Sequence, residues 1–504
     1  MYRTCSVVSA RPIATLALVF ALLIPASSQA KNLYVNGTTG NDAVTYAANS
    51  EANPWRSIGR AAWGSTNRQA RNGNEAARAG DVVLVAAGVY STAATNTRNE
   101  VAYFAENSGV AGSPIVFRAV GLVQLTTSSG VGPLIGALSR NYITWDGFSI
   151  HEATAPSTPD TGPVTVYGCT GCVLENLDIN GNGNANGRID NHNGIRIESS
   201  RGVLVRNNRI QNVYTGSNVN NGAAIMVYAS GAVTFENNEI FNCGSGINLK
   251  GGPNTTASID FFTIRYNLLY NIGEVRNGFG AGSAIIMHAG AATTADRPTR
   301  IYQNVVRDVV GEAAVRIWRF SDTDITNTPM NGKIVNNTFV NTPKAMWVDN
   351  PPLANAGFVY KNNISSGTSE GAIAFNGVPN DKTRFDSENN LFWSYGSMAL
   401  TTNATHTLAN WKSTFGQDTA APASINADPG FVNLAGRDLR LGVSSPARGL
   451  GRDVLDLNNN GSTTDLIPAG AYVSGNEVIG RTTALASPST PSAPRNLRIV
   501  PQAQ

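Results

Sequence analysis

Three copies of one sequence phrase lie between residues 194 and 251 and constrain the fold more than any other feature. The first copy, Gly194 to Ile210, contains an alternating apolar and polar segment, a tight turn, a second such segment and an Asn-Asn pair. The second copy runs from Ala224 to Ile240, and the third begins at Gly246. Alternation with a period of two is typical of β-strands. Repetition of one short unit along a chain indicates a solenoid.

The Asn-Asn pair sets the register of the repeat. Equivalent corner positions recur at unequal steps of about 30 residues, at Phe148, Leu177, Asn208, Asn238, Asn267, Asn304, Asn337, Asn363 and Asn390. Asn tolerates left-handed backbone geometry, and stacked Asn side chains can bond to one another. We therefore predict an all-β fold, a right-handed parallel β-helix solenoid with an Asn ladder that starts at Asn208. The alternative is a β-sandwich with Asn in its hairpin turns, whose strands would not repeat one three-strand phrase.

The regions around the repeat divide the chain. Only 14% of the residues are charged and 51 are glycine, which argues against a helical or disordered protein. Short helices near Ile58–Ala62 and over Leu408–Phe415 would cover the ends of the stack, because unpaired strand edges need protection. The sequence predicts a signal peptide over residues 1–30, an N-terminal cap with the first coils over residues 31–139, and regular coils over residues 140–400. C-terminal coils with a cap follow over residues 401–485, and a Pro- and Ser-rich tail over residues 486–504.

The first 30 residues have the pattern of a secretory signal peptide. Arg3 and Arg11 precede an apolar run from Ile13 to Ile24. Small residues near Ala30 offer a cleavage site. An uncleaved anchor is the alternative, although the run is short for a bilayer. We predict a secreted protein, extracellular or periplasmic, with no membrane association after cleavage. An oxidising compartment would permit a disulfide between Cys169 and Cys172.

The net charge of the chain argues against nucleic acid as a partner. The formal net charge is +3, and removal of the signal leaves +1, which is not the balance of a nucleic-acid-binding protein. The sequence shows no sign of an oligomer interface, so a monomer is expected. Cys243 is expected to be an apolar core residue.

The first strand of each coil carries the candidate chemistry. Alternate residues such as Ile195 and Ile197 should fill the core, and those between them should face outward in two columns, about 4.8 Å apart from coil to coil. The first column contains Thr165, Arg196, Met226, Asn248, Ile286, Arg316, Trp347 and Ala374. The second column contains Tyr167, Glu198, Tyr228, Lys250, His288, Trp318, Asp349 and Asn376.

The second column combines aromatic rings with cations, which suits an acidic polysaccharide. β-Elimination from a uronate needs a base, positive charge to stabilise the enolate, and an acid for the leaving oxygen. We assign Lys250 as the base, His288 as an acid or second base, Tyr228 to the leaving group and Arg316 to the substrate carboxylate. Further substrate contacts are expected from Trp318, Arg196, Glu198, Arg319, Asn248, Trp347 and Asp349.

Other functions remain open at this point. Hydrolysis of a glycosidic bond usually needs two carboxyl groups about 5–9.5 Å apart. Glu198 and Asp349 would lie five coils apart, roughly 24 Å, although the loop acids Asp190 or Asp260 could supply a partner. A glycan-binding or adhesion protein without catalysis is a further alternative, as is an ordinary solvated strand face.

The order of elements at the N-terminus resembles that of secreted bacterial β-helix proteins. The segments that carry this resemblance are Asn32–Val35, Asn53–Ile58, Ala79–Val85 and Gly112–Phe117. These proteins include the polysaccharide lyases that act on pectate, alginate and chondroitin, and the resemblance is not specific to one activity. The resemblance implies that a Lys or Arg on this face abstracts the proton, often near calcium held by acids. No acidic cluster flanks Lys250, which departs from that pattern.

Two loop motifs complete the sequence picture. Asp190-Asn191-His192-Asn193 resembles the Asp-Pro-His motif of the mannuronan C5-epimerases, with Asn191 in place of Pro, so epimerisation is a minor alternative. A later segment has Asp456, Asn458 and Asn460 at the first ligand positions of a calcium loop. Position 12 of that loop is Ile467 instead of Glu, with Asp465 nearby. No cofactor is certain; a structural calcium is one interpretation, and an Asn-rich turn is the favoured one.

Overall fold

A computed structural model describes residues 30–93, 101–129, 132–151, 162–181, 192–214, 222–250, 261–274, 282–288, 297–318, 330–349, 356–375, 382–402 and 404–482. Residues 1–29 of the predicted signal peptide and the tail from residue 486 onward lie outside these ranges. Secretion therefore stays a prediction. No helix among the described residues is long and apolar enough to cross a membrane.

The described chain forms a right-handed parallel β-helix, as predicted from the repeat. Each regular coil places one strand in a sheet that we name the front sheet and two strands in a larger sheet that we name the back sheet. The front-sheet strands are Ile135–Leu138, Val164–Tyr167, Ile195–Glu198, Ile225–Tyr228, Ile247–Lys250, Ile285–His288, Val315–Trp318, Lys344–Asp349, Gly371–Phe375, Ala399–Thr401 and Ala404–His406. All pair in parallel except the last, which is antiparallel to its neighbour.

The back sheet begins with long strands and continues with short pairs. Its strands are Asn32–Val35, Val82–Ala93, Ile115–Ser129, Ile143–His151, Val173–Glu175, Asp178–Asn180, Leu204–Arg206, Arg209–Gln211, Thr234–Glu236, Glu239–Cys243, Thr263–Arg265, Leu268–Ile272, Thr299–Tyr302, Val305–Val309, Met330–Val335, Thr338–Val340, Ala356–Lys361, Ile364–Ser366, Phe385–Glu388, Leu391–Trp393 and Ile425–Asn426. Two small antiparallel pairs follow, Phe431–Asn433 with Asp438–Leu441 and Gly451–Arg452 with Leu466–Ile467.

The predicted Asn ladder runs through the buried corners of the back sheet. The Oδ1 atom of Asn267 accepts from the backbone N–H of Asn238 at 3.0 Å and from its Nδ2 at 2.9 Å. The same pattern joins consecutive corners from Asn208 to Asn390. The ladder therefore starts where the sequence places it. The left-handed backbone lies one residue earlier, for example at Asn207 and Asn237, and not at the ladder residues themselves.

Helices pack near both ends of the solenoid. The first helix, Ile58–Trp63, is buried along its length and is capped by the Ser57 hydroxyl, which accepts from Arg60 N. It extends one residue beyond the predicted segment. The second helix, Leu408–Phe415, has the predicted bounds. Its buried Trp411 ring stacks 6.0 Å from Phe375 in the front sheet. A short 3-10 helix spans Pro446–Gly449.

Residues 451–482, which we name the C-terminal strap, run back along the corners of the back sheet. Asn362 donates to Arg452 O at 2.6 Å, and Asn336 donates to Pro468 O at 2.9 Å. Further along, Gly480 N donates to Tyr266 O at 2.7 Å. The strap ends against the coils that contain Asn237, Asn207 and Asn176. It therefore joins coils that are far apart in sequence.

The cysteines occupy the expected places. Cys169 and Cys172 form a disulfide at the turn between a front strand and a back strand. Cys243 is buried in the core. The core itself is filled by the inward residues of both sheets, such as Ile195, Ile197 and Phe235.

Candidate functional site

The front sheet aligns the second column as the sequence predicts. Tyr228 pairs with Glu198 on one side and with Lys250 on the other. His288 pairs with Trp318, and the strands of Lys250 and His288 are themselves adjacent. Since parallel pairing places equivalent residues side by side, these five side chains form one continuous row on the outer face.

Tyr228 is held between two cations. The Arg196 guanidinium carbon lies 4.6 Å from the centroid of the Tyr228 ring, and Lys250 Nζ lies 5.2 Å from it. These distances are in the range of cation–π contacts. Arg196 also donates to Glu198 Oε2 at 3.0 Å and to Asn193 Oδ1 at 3.3 Å. The Tyr228 ring thus contacts both the Lys250 ammonium and the Arg196 guanidinium.

A second group surrounds Arg316. Its guanidinium carbon lies 4.4 Å from the ring centroids of both Trp318 and Trp347. Glu312 accepts a hydrogen bond from Arg316 Nη1. The Lys344 ammonium lies 4.9 Å from the Trp347 centroid. This end of the site therefore combines two indoles with a guanidinium whose charge is partly balanced by Glu312.

His288 connects the two groups. Its ring centroid lies 4.7 Å from that of Trp318, with the ring planes 44° apart. The side chain is only 1% exposed. Burial, together with the positive charges of Lys250 and Arg316, holds the pKa of His288 well below its ordinary value of 6.5. The imidazole is therefore neutral at physiological pH, because both causes disfavour its protonated form.

The two columns differ in burial, which the sequence did not indicate. Members of the first column that were expected to face solvent are buried, namely Thr165, Arg196, Met226, Asn248, Ile286, Arg316 and Ala374. By contrast, Glu198, Tyr228, Lys250 and Trp318 in the second column are partly exposed, as is Trp347 in the first. The surface that a ligand can reach is thus narrower than the predicted two-column face, and Asn248 lies beneath it.

Some predicted residues fall outside the description. Arg319 and the loop acids Asp190 and Asp260 lie outside the described residues, as does Asn376. The backbone of Asp349 pairs with Trp318, which places it five strands from Glu198 in the same row. The backbone positions therefore agree with the wide separation that argues against hydrolysis by Glu198 and Asp349 as a pair.

Glu312 is a site residue that the column analysis missed. It precedes the strand Val315–Trp318, so alternation within strands could not reveal it. Its backbone N–H donates to Gly282 O at 3.0 Å, which anchors it beside the neighbouring coil. The one available signal was its position four residues before Arg316. That spacing indicates an ion pair only when the local backbone is known.

The Asn-rich loop is compatible with a structure held by hydrogen bonds. Asp465 accepts from the amides of Asn458 and Asn460 and from the Ser462 hydroxyl. Asp456 Oδ1 accepts from Gly461 N at 3.1 Å. No cluster of three His, Cys, Asp or Glu side chains suited to a metal occurs among the described residues. Asp456, Asn458, Asn460 and Asp465 have the oxygen atoms that calcium needs. Calcium binding here stays a prediction.

Comparison with known proteins agrees with the observed architecture. The family model of the right-handed beta helix region matches residues 139–328. The crystal structure of pectate lyase Pel9A matches with a TM-score of 0.54 and 14% identity, covering 88% of this chain and 96% of that one.

Two more distant structures also match. A GH136 lacto-N-biosidase from Eubacterium ramulus has a TM-score of 0.43 at 13% identity, covering 75% of this chain and 67% of that one. A PL6 family polysaccharide lyase from Pseudopedobacter saltans has a TM-score of 0.39 at 12% identity, covering 70% and 88%. No curated protein sequence matches the chain. The chain is a right-handed parallel β-helix that resembles, in fold, polysaccharide lyases such as pectate lyase.

Proposed function

We propose that this protein is a secreted lyase that cleaves an acidic, uronate-containing polysaccharide by β-elimination on the front sheet. The observation that carries the proposal is the position of Lys250. Its ammonium lies 5.2 Å from the Tyr228 ring and beside the strand of His288. A potential base and a potential proton donor therefore lie side by side on one partly exposed row of the front sheet.

The reaction assigns a distinct task to each group. Lys250, in its neutral form, takes the proton from the carbon next to the uronate carboxylate. The bond from the neighbouring carbon to the glycosidic oxygen then breaks, a carbon–carbon double bond forms, and Tyr228 supplies a proton to the departing oxygen. Arg316 faces the substrate carboxylate and stabilises the enolate charge that develops there.

The environment of His288 favours a supporting role. From the sequence we assigned His288 as an acid or a second base. A neutral imidazole with a lowered pKa, however, is a poor acid at physiological pH. Because it is 1% exposed, we give direct contact with the substrate to Lys250 and Tyr228. His288 is then a positioning residue that orders the row between Lys250 and Trp318.

The fold comparison supports the choice of substrate class. One of the solved structures that match along most of both chains is a pectate lyase, and pectate is a uronate polymer. The aromatic and cationic groups of the row suit the same kind of ligand, since rings contact sugar faces and cations attract carboxylates. A monomeric protein without nucleic-acid or membrane partners is part of this proposal.

Product formation tests the proposal directly. Purified protein is incubated with pectate, alginate and glycosaminoglycans, and the absorbance of unsaturated uronate is followed. We expect a rise with one of these polymers that Lys250→Ala abolishes. Lys361→Ala is the matched control, because Lys361 pairs with Asp386 at 2.5 Å on the back sheet, away from the site. This control should keep the wild-type rate.

The other outcomes point to specific alternatives. Binding to a uronate polymer without any absorbance rise would contradict the lyase and favour a glycan-binding protein. New reducing ends without unsaturation would indicate a hydrolase, and a change in uronate stereochemistry without cleavage would indicate an epimerase. A rise that survives Lys250→Ala would support the lyase and refute Lys250 as its base.

A further inference from the structure

The guanidinium of Arg316 is held in place by aromatic rings. It lies 4.4 Å from the centroids of Trp318, on its own strand, and Trp347, which is opposite it on the next strand. Indole faces attract guanidinium groups and restrict them to stacked orientations. Two such contacts fix the plane of the group, so a carboxylate is not needed to orient it.

Glu312 nevertheless pairs with this guanidinium. Its Oε2 atom accepts from Arg316 Nη1 and lies 3.4 Å from the Ser283 hydroxyl. The Glu312 side chain is 26% exposed, whereas that of Arg316 is 6% exposed. The carboxylate thus lies on the more accessible side of the pair. A ligand carboxylate that bonds to Nη1 of Arg316 has to take the place of Glu312.

We propose that Glu312 is a specificity-determining residue that competes with the ligand carboxylate for Arg316. This inference rests on the proposed function, because it assigns Arg316 to the uronate carboxylate. Glu312 and a uronate offer the same planar, two-oxygen acceptor to the same donors. The fold holds the Glu312 carboxylate beside Arg316, so a ligand carboxylate binds to Arg316 only when it displaces Glu312.

This competition raises the number of other contacts that a uronate must make in order to bind. A single uronate replaces one carboxylate with another and gains little. A polymer gains additional contacts along the row, from Trp318 through Lys250 to Tyr228, that a single sugar cannot make. Glu312 therefore raises the Kd of all uronates alike, and only oligomers and polymers, which make the further contacts along the row, retain measurable binding.

Binding of short uronates to Glu312→Gln tests the inference. The probes are trigalacturonate and trimannuronate, with their methyl esters as uncharged counterparts. Intrinsic tryptophan fluorescence reports binding, because Trp318 and Trp347 flank Arg316. We expect Glu312→Gln to lower the Kd of the better trisaccharide about tenfold, with no change for the esters. Glu312→Asp retains the charge and should bind like wild type.

A matched control separates this effect from a general change in charge. Glu236 pairs with Arg265 at 2.6 Å on the back sheet, and both side chains are partly exposed. Glu236→Gln removes the same charge from an equivalent pair, so it should leave both titrations unchanged. The double variant Glu312→Gln with Arg316→Met should lose the gain in affinity. The thermal midpoint of each variant confirms that it is folded.

Several results would overturn the inference. Weaker or unchanged binding in folded Glu312→Gln refutes competition, and weaker binding would make Glu312 a positioning residue. Absence of binding by both trisaccharides to wild type and Glu312→Gln also refutes it. The lyase proposal fails separately, when no polymer yields unsaturated product. Tighter binding in Glu312→Gln without such product would leave a uronate site on a protein that is not a lyase.

Discussion

The Lys250 ammonium lies 5.2 Å from the centroid of the Tyr228 ring, on the strand directly beside it. On the opposite neighbouring strand, Arg196 lies 4.6 Å from the same centroid. The ring is thus flanked by cations from both adjacent coils. The faces of Tyr228 are engaged within the protein, so the hydroxyl edge is the part best suited to meet a ligand. This arrangement favours a proton-donor role over sugar stacking.

Tyr228→Phe separates these two roles. The ring and both cation contacts remain, whereas the proton donor is lost. We expect kcat on the responsive polymer to fall about a hundredfold, the lower end of general acid catalysis, with little change in KM. Steady-state kinetics by the absorbance of unsaturated product measures both constants. Wild-type kcat in Tyr228→Phe would exclude the hydroxyl as the acid.

The fold was predictable because a solenoid repeats one local rule. The corner at Asn267 and the alternation around Ile195 set strand register without any long-range information. Burial of Ile286 on the outer face was not predictable, because it depends on chain outside that strand. Glu312 was missed because it lies in a turn, where no periodicity applies. The sequence thus predicted which strand residues align and not which of them a ligand can reach.

The buried His288 makes stability depend on pH. Its pKa is lowered in the folded state, so the unfolded chain binds more protons between the folded pKa and about 6.5. Stability is fully present above pH 6.5 and falls as pH decreases below it. We expect thermal midpoints measured from pH 7.5 to pH 5 to decline in the wild type, and to decline less in His288→Gln.

A matched histidine tests whether this dependence is specific. His406 is partly exposed, and its ring contacts Phe415 near the second helix. His406→Gln removes one imidazole at this partly exposed position and is the control for the loss of a histidine. Equal slopes for wild type and His288→Gln would show that other groups cause the acid sensitivity.

Substitution of any buried Asn of the ladder should lower the free energy of unfolding. Asn267 accepts from Asn238 and donates to Asn304 and Phe235 O, so Asn267→Ala leaves several buried polar groups without partners. We expect a loss of about 3 kcal/mol in unfolding free energy by denaturant titration. Asn271 is an exposed, left-handed residue that donates to Asn242. Asn271→Gly is the control and should cost less than about 1 kcal/mol.

Treatment with a chelator tests whether the Asn-rich loop holds a structural calcium. Asp465 already accepts from two Asn amides and a hydroxyl, so the loop has internal partners for its charge. We expect a chelator to leave the thermal midpoint of the wild type unchanged. A rise in midpoint on addition of calcium that Asp465→Asn removes would instead establish a structural calcium at Asp456, Asn458 and Asn460.

The C-terminal strap should be an important source of stability, and Gly470 is its most constrained contact. Its N–H donates to Asn362 O at 2.7 Å, and its φ is 90°. A Cβ atom at this position would lie 2.6 Å from Ile364 Cδ1, within the packed core beneath the strap. Gly470→Ala therefore combines left-handed strain with a clash, and we expect a loss of about 3 kcal/mol in unfolding free energy.

Gly475 provides the control for this substitution. Its φ is 84°, close to that of Gly470, but a Cβ atom there would meet nothing within 4 Å. Gly475→Ala carries the backbone strain alone and should cost only about 1 kcal/mol. Limited proteolysis should also release the strap faster in Gly470→Ala than in Gly475→Ala, because only the first variant displaces the strap from Ile364. Equal losses in the two variants would show that packing of the strap against the coils adds little to stability.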